Sequence, residues 1–173
     1  RQRFFLELYA GSARLSGAVA QNGLWTVPPF DVCRGEHFDL SRWQVRRKII
    51  RWLRSGKIWA VHLATPCTPW SAATPNKGRY HDSGAANSRI TAKMIDEADA
   101  NNVWWTLENP RGSGLFDDVD KRRKLPRKQR APIDSAVWDC CEYGAHYLKP
   151  TELQGTLPGL RVLSRRCTGG HFH

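Results

Sequence analysis

The polar and apolar positions in the first part of the chain predict a strand, a glycine turn and a helix. Residues 4–10 form a compact apolar run that ends at Gly11, and residues 12–22 then carry apolar side chains at helical spacing. A second strand is predicted over residues 24–32. Two adjacent prolines in that segment place it at the edge of a sheet or shorten it.

An amphipathic helix is predicted over residues 41–54. Asp39 lies in its N-cap region. The spacing of the apolar positions directs Trp43, Ile50 and Leu53 toward the core and leaves a basic outer face. This helix is therefore expected to cover one face of a sheet.

Two further apolar runs, at residues 58–64 and 103–107, predict buried strands. A helix over residues 85–100 precedes the second strand. The loop over residues 65–82 is rich in Pro, Thr and Ser, and so long a loop inside a compact domain is usually functional or disordered. Alternation of strands with helices indicates an α/β fold with a doubly wound, mostly parallel sheet, whose ligands bind beyond the carboxyl ends of the strands.

Two less regular segments, residues 136–143 and 147–153, are predicted to pair as an antiparallel edge. Neither an internal repeat nor a flexible linker divides the sequence, so residues 1–173 are expected to form one domain. Apolar runs stay far below the roughly 18 to 20 residues that span a bilayer, so no membrane partner is expected. The first ten residues do not resemble a signal peptide. Five cysteines without a regular framework favour a reduced, intracellular location.

The charge balance predicts a polyanionic partner. Lys and Arg total 27 against 16 Asp and Glu, a net charge of +11, so nucleic acid is the leading expectation and a merely soluble basic surface is the alternative. A dense basic tract strengthens the first interpretation and also resembles a nuclear-import signal, which predicts the nucleus as location in a eukaryote. The tract, named here the basic segment, contains Lys121, Arg122, Arg123, Lys124, Arg127, Lys128 and Arg130.

Three groups of chemically useful residues follow predicted strands. The turn at Gly11 lets the backbone approach a ligand at a helix N-terminus, and Asp31, 20 positions later, is placed as a ribose partner. Cys67 lies between two prolines, in a loop poorly suited to burying a thiol, and is predicted to be a nucleophile. Glu108 ends the neighbouring strand, where a carboxylate suits acid and hydrogen-bonding roles.

In order and spacing these motifs resemble the cytosine-C5 methyltransferase family, over most of the chain. The run FLELYAGSARL resembles the family's cofactor motif, with Ala13 in place of its second glycine. Pro66 and Cys67 match the Pro-Cys motif, with Ser71 near its usual serine, and Glu108 with Asn109 matches the Glu-Asn motif. Tyr143, Gly144 and Lys149 resemble a later motif, with Lys149 in place of its first arginine and Thr151 at the second.

The resemblance implies the fold of the class I methyltransferases that use S-adenosylmethionine, and methylation of cytosine C5 in DNA. RNA is the nearest alternative substrate. It assigns catalysis to Pro66, Cys67, Glu108, Asn109 and Lys149. It assigns the cofactor to Leu8, Tyr9, Ala10, Gly11, Ser12, Ala13, Asp31, Asp39 and Leu40.

The implied chemistry is addition of the Cys67 thiolate to cytosine C6 while Glu108 hydrogen-bonds the ring. Arg111 or Lys149 is expected to help form the thiolate. The target base must leave its stack. Only 24 residues follow Lys149, so sequence selectivity is expected to be low, or to be supplied by the basic segment, another domain or a partner. Two other classes remain: a silent nucleic-acid-binding module and a thiol hydrolase that uses Cys67 with a histidine.

The remaining candidates carry weaker predictions. Cys167, His171 and His173 lie close together near the C-terminus, and Cys140 or Cys141 would complete four zinc ligands. The spacing matches no standard zinc finger, so no metal is assigned from sequence. His62 is expected to be a satisfied core residue. Most of the eight tryptophans, Trp104 and Trp105 among them, are expected in the core, whereas Trp70 in the loop is a candidate for stacking on a base.

Overall fold

The computed structural model describes residues 2–70 and 81–173, so Ser71 lies outside the described residues. The described part contains five strands and four α-helices. The strands are β1 (Phe4–Leu8), β2 (Ile58–Leu63), β3 (Trp104–Pro110), β4 (Asp134–Asp139) and β5 (Pro150–Gly155). The helices are α1 (Arg14–Gln21), α2 (Trp43–Arg54), α3 (His81–Ala100) and α4 (Leu115–Arg122). No helix in these two described stretches has both the length and the apolar character needed to cross a membrane.

The five strands form one sheet in the order β1-β2-β3-β5-β4. β1, β2 and β3 pair in parallel, and β5 pairs antiparallel with both β3 and β4. The prediction of a mostly parallel sheet with helices on its faces is confirmed, and the two C-terminal strands do pair with each other. β5 lies inside the sheet, however, and β4 alone forms that edge.

The core lies between one face of the sheet and helices α2, α3 and α4. Alternate strand residues such as Leu6, Leu8 and Leu63 point into it because side chains along a strand alternate between faces. α1 packs on the opposite face, where Glu7 of β1 hydrogen-bonds Ser16. The two faces therefore carry different helices, as in a doubly wound fold.

The inward face of α2 differs from the prediction. Val45, Ile49 and Leu53 are its buried residues, spaced four apart. Trp43 is 57% exposed, because it is the first helical residue and lies two positions off this stripe. Ile50 packs against the core from a partly buried position.

The predicted strand at residues 24–32 is reduced to two isolated parallel bridges, Phe5 with Thr26 and Leu8 with Phe30. Pro28 and Pro29 lie between the two bridges and have no N–H to donate to a ladder. The segment still follows the outer edge of β1. Trp104 is also more exposed than predicted, at 46% of its surface, while its neighbour Trp105 is buried.

Candidate active site

The turn at Gly11, the loop that contains Cys67 and the end of β3 meet at one edge of the sheet. Leu8 pairs with Leu63, and Leu63 with Leu107, so the three parallel strands end in register. Residues that follow these strands therefore lie side by side at the carboxyl edge. This is where a doubly wound sheet binds its ligands.

The turn after β1 contains three residues with positive φ. Gly11 has φ 50°, and Tyr9 and Ala13 adopt φ 58° and 56°. Left-handed backbone is costly for residues with a Cβ, and such strain clusters at ligand sites. Ala13 thus adopts the conformation that a glycine would take at this position of the motif.

We expect Ala13→Gly to stabilise the protein. Glycine removes the left-handed penalty of about 1–2 kcal/mol. The greater conformational entropy of the unfolded glycine variant offsets about 0.4–1 kcal/mol of this gain in stability. The melting temperature should therefore rise by about 2 °C in a thermal melt followed by tryptophan fluorescence. Ala18→Gly, at an exposed position inside α1, is the matched control and should lower it. A lower melting temperature for Ala13→Gly would contradict the inference that the backbone at Ala13 is strained.

Asp31 closes this turn from the neighbouring segment. Its Oδ2 accepts a hydrogen bond from the Gly11 amide at 2.8 Å, and its Oδ1 accepts one from the Cys33 amide at 3.0 Å. Partial burial opposes ionisation, but the hydrogen bonds from Cys33 and Gly11 outweigh it and hold the pKa of Asp31 below its ordinary value. Asp31 is therefore an anionic acceptor beside the turn.

The N-terminus of α1 is capped from within the sheet. Ala13, the N-cap residue, has no side chain that can cap, and Glu7 supplies the acceptor instead. Its Oε2 accepts hydrogen bonds from the Ser16 amide at 2.7 Å and the Ser16 hydroxyl at 2.5 Å. A carboxylate is thus already placed where a nucleotide phosphate would bind a helix N-terminus. The sequence patterns did not identify this role of Glu7.

The loop that carries Cys67 is held by β3. Asn109 is buried, and its Nδ2 donates a hydrogen bond of 2.7 Å to the carbonyl of Thr65. The Thr65 hydroxyl lies 2.7 Å from that of Thr91 in α3. Pro66 is exposed and Cys67 is half-buried at the next position. Asn109 thus links the two most specific motifs of the sequence through one hydrogen bond.

Glu108 lies beside a cation in a partly buried position. The Nζ of Lys149 is 3.7 Å from Glu108 Oε1. Burial raises the pKa of Glu108, and the charge and hydrogen bond of Lys149 oppose the rise without cancelling it. Arg111, the other predicted cation, directly follows β3, and its amide donates a hydrogen bond to the carbonyl of Pro150 at 3.0 Å. Lys149 is therefore the cation observed next to Glu108.

A cavity of about 950 Å³ opens beside Glu108 and the Gly11 turn, and its described lining does not include Cys67, Asp31 or Asn109. Gly11, Ser12 and Arg14 line it on the side of α1, and Glu108 and Lys149 line it on the side of β3 and β5. The cavity continues along the sheet face over an apolar wall that includes Leu153, Leu157 and Leu163. It is large enough for a small-molecule ligand.

His62 forms part of the same cavity wall and was predicted only as a core residue. Its Nδ1 lies 2.8 Å from the Thr106 hydroxyl. Burial lowers the pKa of His62 to about 4, so the ring is neutral at physiological pH. Its hydrogen-bonded state agrees with the prediction of a satisfied histidine.

The other predicted cofactor residues are placed unequally. Tyr9 and Ala10 line the cavity, whereas the side chain of Leu40 is buried in the core, which leaves only its backbone for a ligand. Asp39 accepts hydrogen bonds from the Ser41 amide and hydroxyl. Burial raises the pKa of Tyr9, and the nearby Asp39 contributes to the rise, so Asp39 lies close to the turn.

The basic segment lies at the opposite end of the sheet from Cys67. Arg123 pairs with Asp96 and Asp99 in the last turns of α3, just before β3 begins. Since helices run antiparallel to the strands in such a fold, this end of α3 marks the amino edge of the sheet. The segment is therefore not adjacent to the cavity.

Four of the seven basic residues of the segment pair with acidic residues within the protein, and one of them, Arg127, reaches Asp120 at 3.6 Å from an exposed position. Arg123 has a side chain that is only 2% exposed, so the prediction that it contacts nucleic acid is wrong. Arg122 pairs with Asp118 at 2.5 Å, and Arg130 pairs with Asp120 at 2.6 Å. Four residues are exposed to solvent: Lys121, Lys124, Arg127 and Lys128.

Trp70 is half-buried and packs between the core and the helices that flank it. Its ring packs against the core, and its Nε1 is buried. A Cβ added at Gly84 or at Gly114 would lie 3.6 Å or 3.8 Å from the ring, so α3 and the start of α4 both approach it closely. Trp70 therefore has a packing role in the fold, and its stacking on a base stays a prediction.

Comparison with known proteins agrees with the fold. No protein-family model and no curated protein sequence matches the chain. Among solved structures, the chain is similar to the Dnmt2 methyltransferase of S. pombe, with a TM-score of 0.61 and 13% identity over 90% of this chain and 50% of that one. The methyltransferase EhMeth of Entamoeba histolytica gives 0.57 and 12% over 100% of this chain and 57% of its own.

A third neighbour is described as a candidate DNA modification methyltransferase encoded within an E. coli prophage, with a TM-score of 0.57 and 14% identity over 90% of this chain and 47% of that one. The chain thus spans about half the length of the structures it matches. At such low identity the likeness concerns architecture. The chain has the α/β fold of these methyltransferases. Its cavity lies on the α1 face of the sheet and reaches the carboxyl edge at Gly11 and Glu108.

Proposed function

We propose that this chain transfers a methyl group from S-adenosylmethionine to C5 of cytosine in DNA, with Cys67 as the nucleophile. The observation that carries the proposal is the hydrogen bond from Asn109 to Thr65. It holds the loop of the half-buried Cys67 thiol against the end of β3, which presents the partly buried carboxyl group of Glu108. Both lie at the sheet edge shared with the Gly11 turn.

The residues around the turn suit S-adenosylmethionine better than a phosphate-bearing cofactor. Glu7 already occupies the N-terminus of α1, so a diphosphate there would meet a carboxylate. Asp31 presents an ionised acceptor for ribose hydroxyls, since a carboxylate oxygen accepts more than one hydrogen bond. Leu8, Tyr9, Ala10, Gly11, Ser12 and Ala13 would hold the remainder through the backbone of the turn. When bound, the cofactor supplies an electrophilic methyl group.

The residues of the chain would activate the base as follows. The Cys67 thiolate forms a bond to C6, and the electron pair of the C5–C6 double bond becomes available at C5. Glu108, whose raised pKa favours its protonated form, donates a hydrogen bond at N3 and offsets the charge that builds on the ring. After C5 has gained the methyl group, water removes the C5 proton, and expulsion of Cys67 restores the double bond.

Substrate contacts are proposed for the basic side chains nearest the cavity. Arg14 and Lys149 line it, and Arg111 directly follows β3. The exposed residues of the basic segment lie at the other end of the sheet and would contact phosphates farther along the nucleic acid. A duplex substrate must present its cytosine flipped out of the stack. Because the chain is half the length of its structural neighbours, a further domain or partner is proposed for target recognition.

The decisive experiment measures transfer of tritiated methyl from S-adenosylmethionine to DNA and RNA of the same sequence. Incorporation into DNA that falls steeply with salt supports the proposal, because phosphate contacts release counterions. Incorporation into RNA alone would show that the substrate is RNA and not DNA. Cofactor binding without incorporation would indicate a missing recognition partner. Failure to bind the cofactor would favour a silent nucleic-acid-binding module.

Glu108→Gln should slow methyl transfer by about a hundredfold, because the amide cannot supply a proton to the ring. It should also change stability in a pH-dependent way. The raised pKa of Glu108 means that the folded state disfavours the carboxylate, so the parent loses stability as pH rises from the ordinary value of 4.5 through the folded value.

The glutamine variant has no carboxyl group to ionise at this position, so it does not lose stability over this pH range. It should therefore unfold at a slightly higher temperature than the parent at pH 7, and the difference should vanish below pH 4. Lys149→Met is the control that keeps the acid, and it should raise the pKa of Glu108 further because the opposing cation is gone. A glutamine variant with parental turnover would exclude Glu108 from the chemistry.

A further inference from the structure

Four potential metal ligands converge at the C-terminal tail, away from the cavity. They are Cys141, in the turn after β4, and three tail residues, Cys167, His171 and His173. Their ligand atoms all lie within 4.8 Å of one another. The Sγ of Cys167 is 3.8 Å from the Nε2 of His171 and 3.6 Å from the Nε2 of His173.

The two separations from the Cys167 sulfur to the histidine nitrogens match the edges of a zinc tetrahedron, and the remaining pairs of ligand atoms lie within 4.8 Å. Bonds of about 2.3 Å to sulfur and about 2.0–2.1 Å to nitrogen place neighbouring ligands roughly 3.3–3.8 Å apart. We propose that Cys141, Cys167, His171 and His173 bind one structural zinc ion. Two thiolates and two imidazoles favour zinc over magnesium or calcium, which prefer oxygen ligands. Four protein ligands leave no open position, as is usual for a structural site.

The local backbone positions Cys167 and the two histidines. Gly169 and Gly170 have φ 81° and 90°, which reverses the chain between Cys167 and His171. The Gly169 amide lies 3.3 Å from the Cys167 sulfur and donates to it. Asp139 accepts the Cys167 amide at 2.8 Å and Arg166 Nε at 2.9 Å. Such contacts around the ligands orient and support a metal site.

Hydrophobic packing does not explain why the tail folds back. Every described residue from 164 to 173 is exposed or half-buried, and Phe172 between the two histidines is fully exposed. Ordering a chain segment costs roughly 1–2 kcal/mol per residue. A bound ion would add to the polar contacts of Asp139 and help to offset this cost.

The ion would also fasten one wall of the cavity. Cys141 belongs to the same short turn as Tyr143, which lines the cavity. The Tyr143 hydroxyl donates to the carbonyl of Leu163 at 2.7 Å, and Arg165 lies 5.3 Å from the Tyr143 ring. The tail and the turn thus support each other. This inference does not depend on the proposed reaction.

The test uses the full chain without a histidine tag, produced in zinc-supplemented medium. Elemental analysis should give one zinc ion per chain, and cobalt exchange should give the absorption of tetrahedral, thiolate-bound Co²⁺. A chelator should lower the melting temperature by several degrees. Purified protein with far less than one zinc per chain, or octahedral cobalt, would overturn the proposal.

Variants identify the ligands. Cys141→Ser and Cys167→Ser should each lose most of the zinc, and His173→Asn, at the exposed end of the chain, should weaken binding in a protein that remains folded by circular dichroism. Cys140→Ser is the matched control, because Cys140 is adjacent but contacts Thr151 instead. Equal zinc in the ligand variants and the control, or a Cys141–Cys167 disulfide found by mass spectrometry under reducing purification, would refute the site.

Discussion

Cys67→Ser should abolish methyl transfer, with a loss of about a thousandfold or more. A serine hydroxyl stays protonated where a thiol ionises, so it cannot add to C6, and removal of a nucleophile costs far more than removal of a supporting contact. The variant should still bind S-adenosylmethionine, since Cys67 lies in the loop after β2 and the residues assigned to the cofactor all precede β2. Turnover and cofactor binding together separate a lost nucleophile from a misfolded protein.

A substrate that traps the covalent intermediate tests the nucleophile directly. With 5-fluorocytosine in the substrate, the fluorine at C5 cannot leave as a proton does, so Cys67 stays bound to C6. The parent should form an adduct that resists denaturing electrophoresis, and Cys67→Ser should form none. Cys140→Ser is the control and should form the adduct normally. Parental turnover or adduct formation by Cys67→Ser would show that another residue is the nucleophile.

Arg123→Met should lower the free energy of unfolding by about 3–5 kcal/mol, since removing one member of a buried ion cluster leaves charge without a counter-ion. Arg123 Nε lies 2.9 Å from Asp96 Oδ1, and Arg123 also pairs with Asp99. Asp96 further accepts the amides of Lys124 and Leu125. The cluster thus joins α3 to the segment after α4.

Urea unfolding followed by tryptophan fluorescence measures this loss, and the melting temperature should fall by about 10 °C. Lys128→Met removes a cation from an exposed position of the same segment and should change stability by no more than about 0.5 kcal/mol. Adding Asp96→Asn and Asp99→Asn to Arg123→Met should restore part of the stability. A loss for Arg123→Met no larger than that of the control would contradict the burial of the ion cluster.

The sequence predicted the three parallel strands well because each is an apolar run bounded by turn residues, whereas β4 and β5 are less apolar and their predicted limits differ from the observed ones by two to four residues. β1, β2 and β3 lie within one to three residues of their predicted limits. The segment at 24–32 was predicted less well, since an edge that contains Pro28 and Pro29 cannot form a continuous ladder. Periodicity also misplaced Trp43, because a short helix does not reveal where its first turn begins.

Tertiary pairing was invisible to pattern analysis. Arg123 looked like one cation of a basic tract, and only the fold brings it to Asp96 and Asp99, at 27 and 24 positions' distance. Spacing also could not decide whether Cys140 or Cys141 is the fourth metal ligand. In the structure Cys140 contacts Thr151, whereas Cys141 lies near Cys167 and the two histidines. The carboxyl-edge site was predictable because parallel strands bring their ends together whatever the intervening loops contain.

The hydrogen bond between Asp31 and Gly11 bears on how fast a ligand can enter. The turn is closed by the protein's own carboxylate, so its unusual backbone does not have to be ordered during binding. A preorganised turn lowers the entropic cost of association and removes a slow conformational step. Ligand binding at this end of the cavity should then follow a single exponential. Its observed rate constant should rise linearly with ligand concentration, as expected for a site that needs no rearrangement before binding.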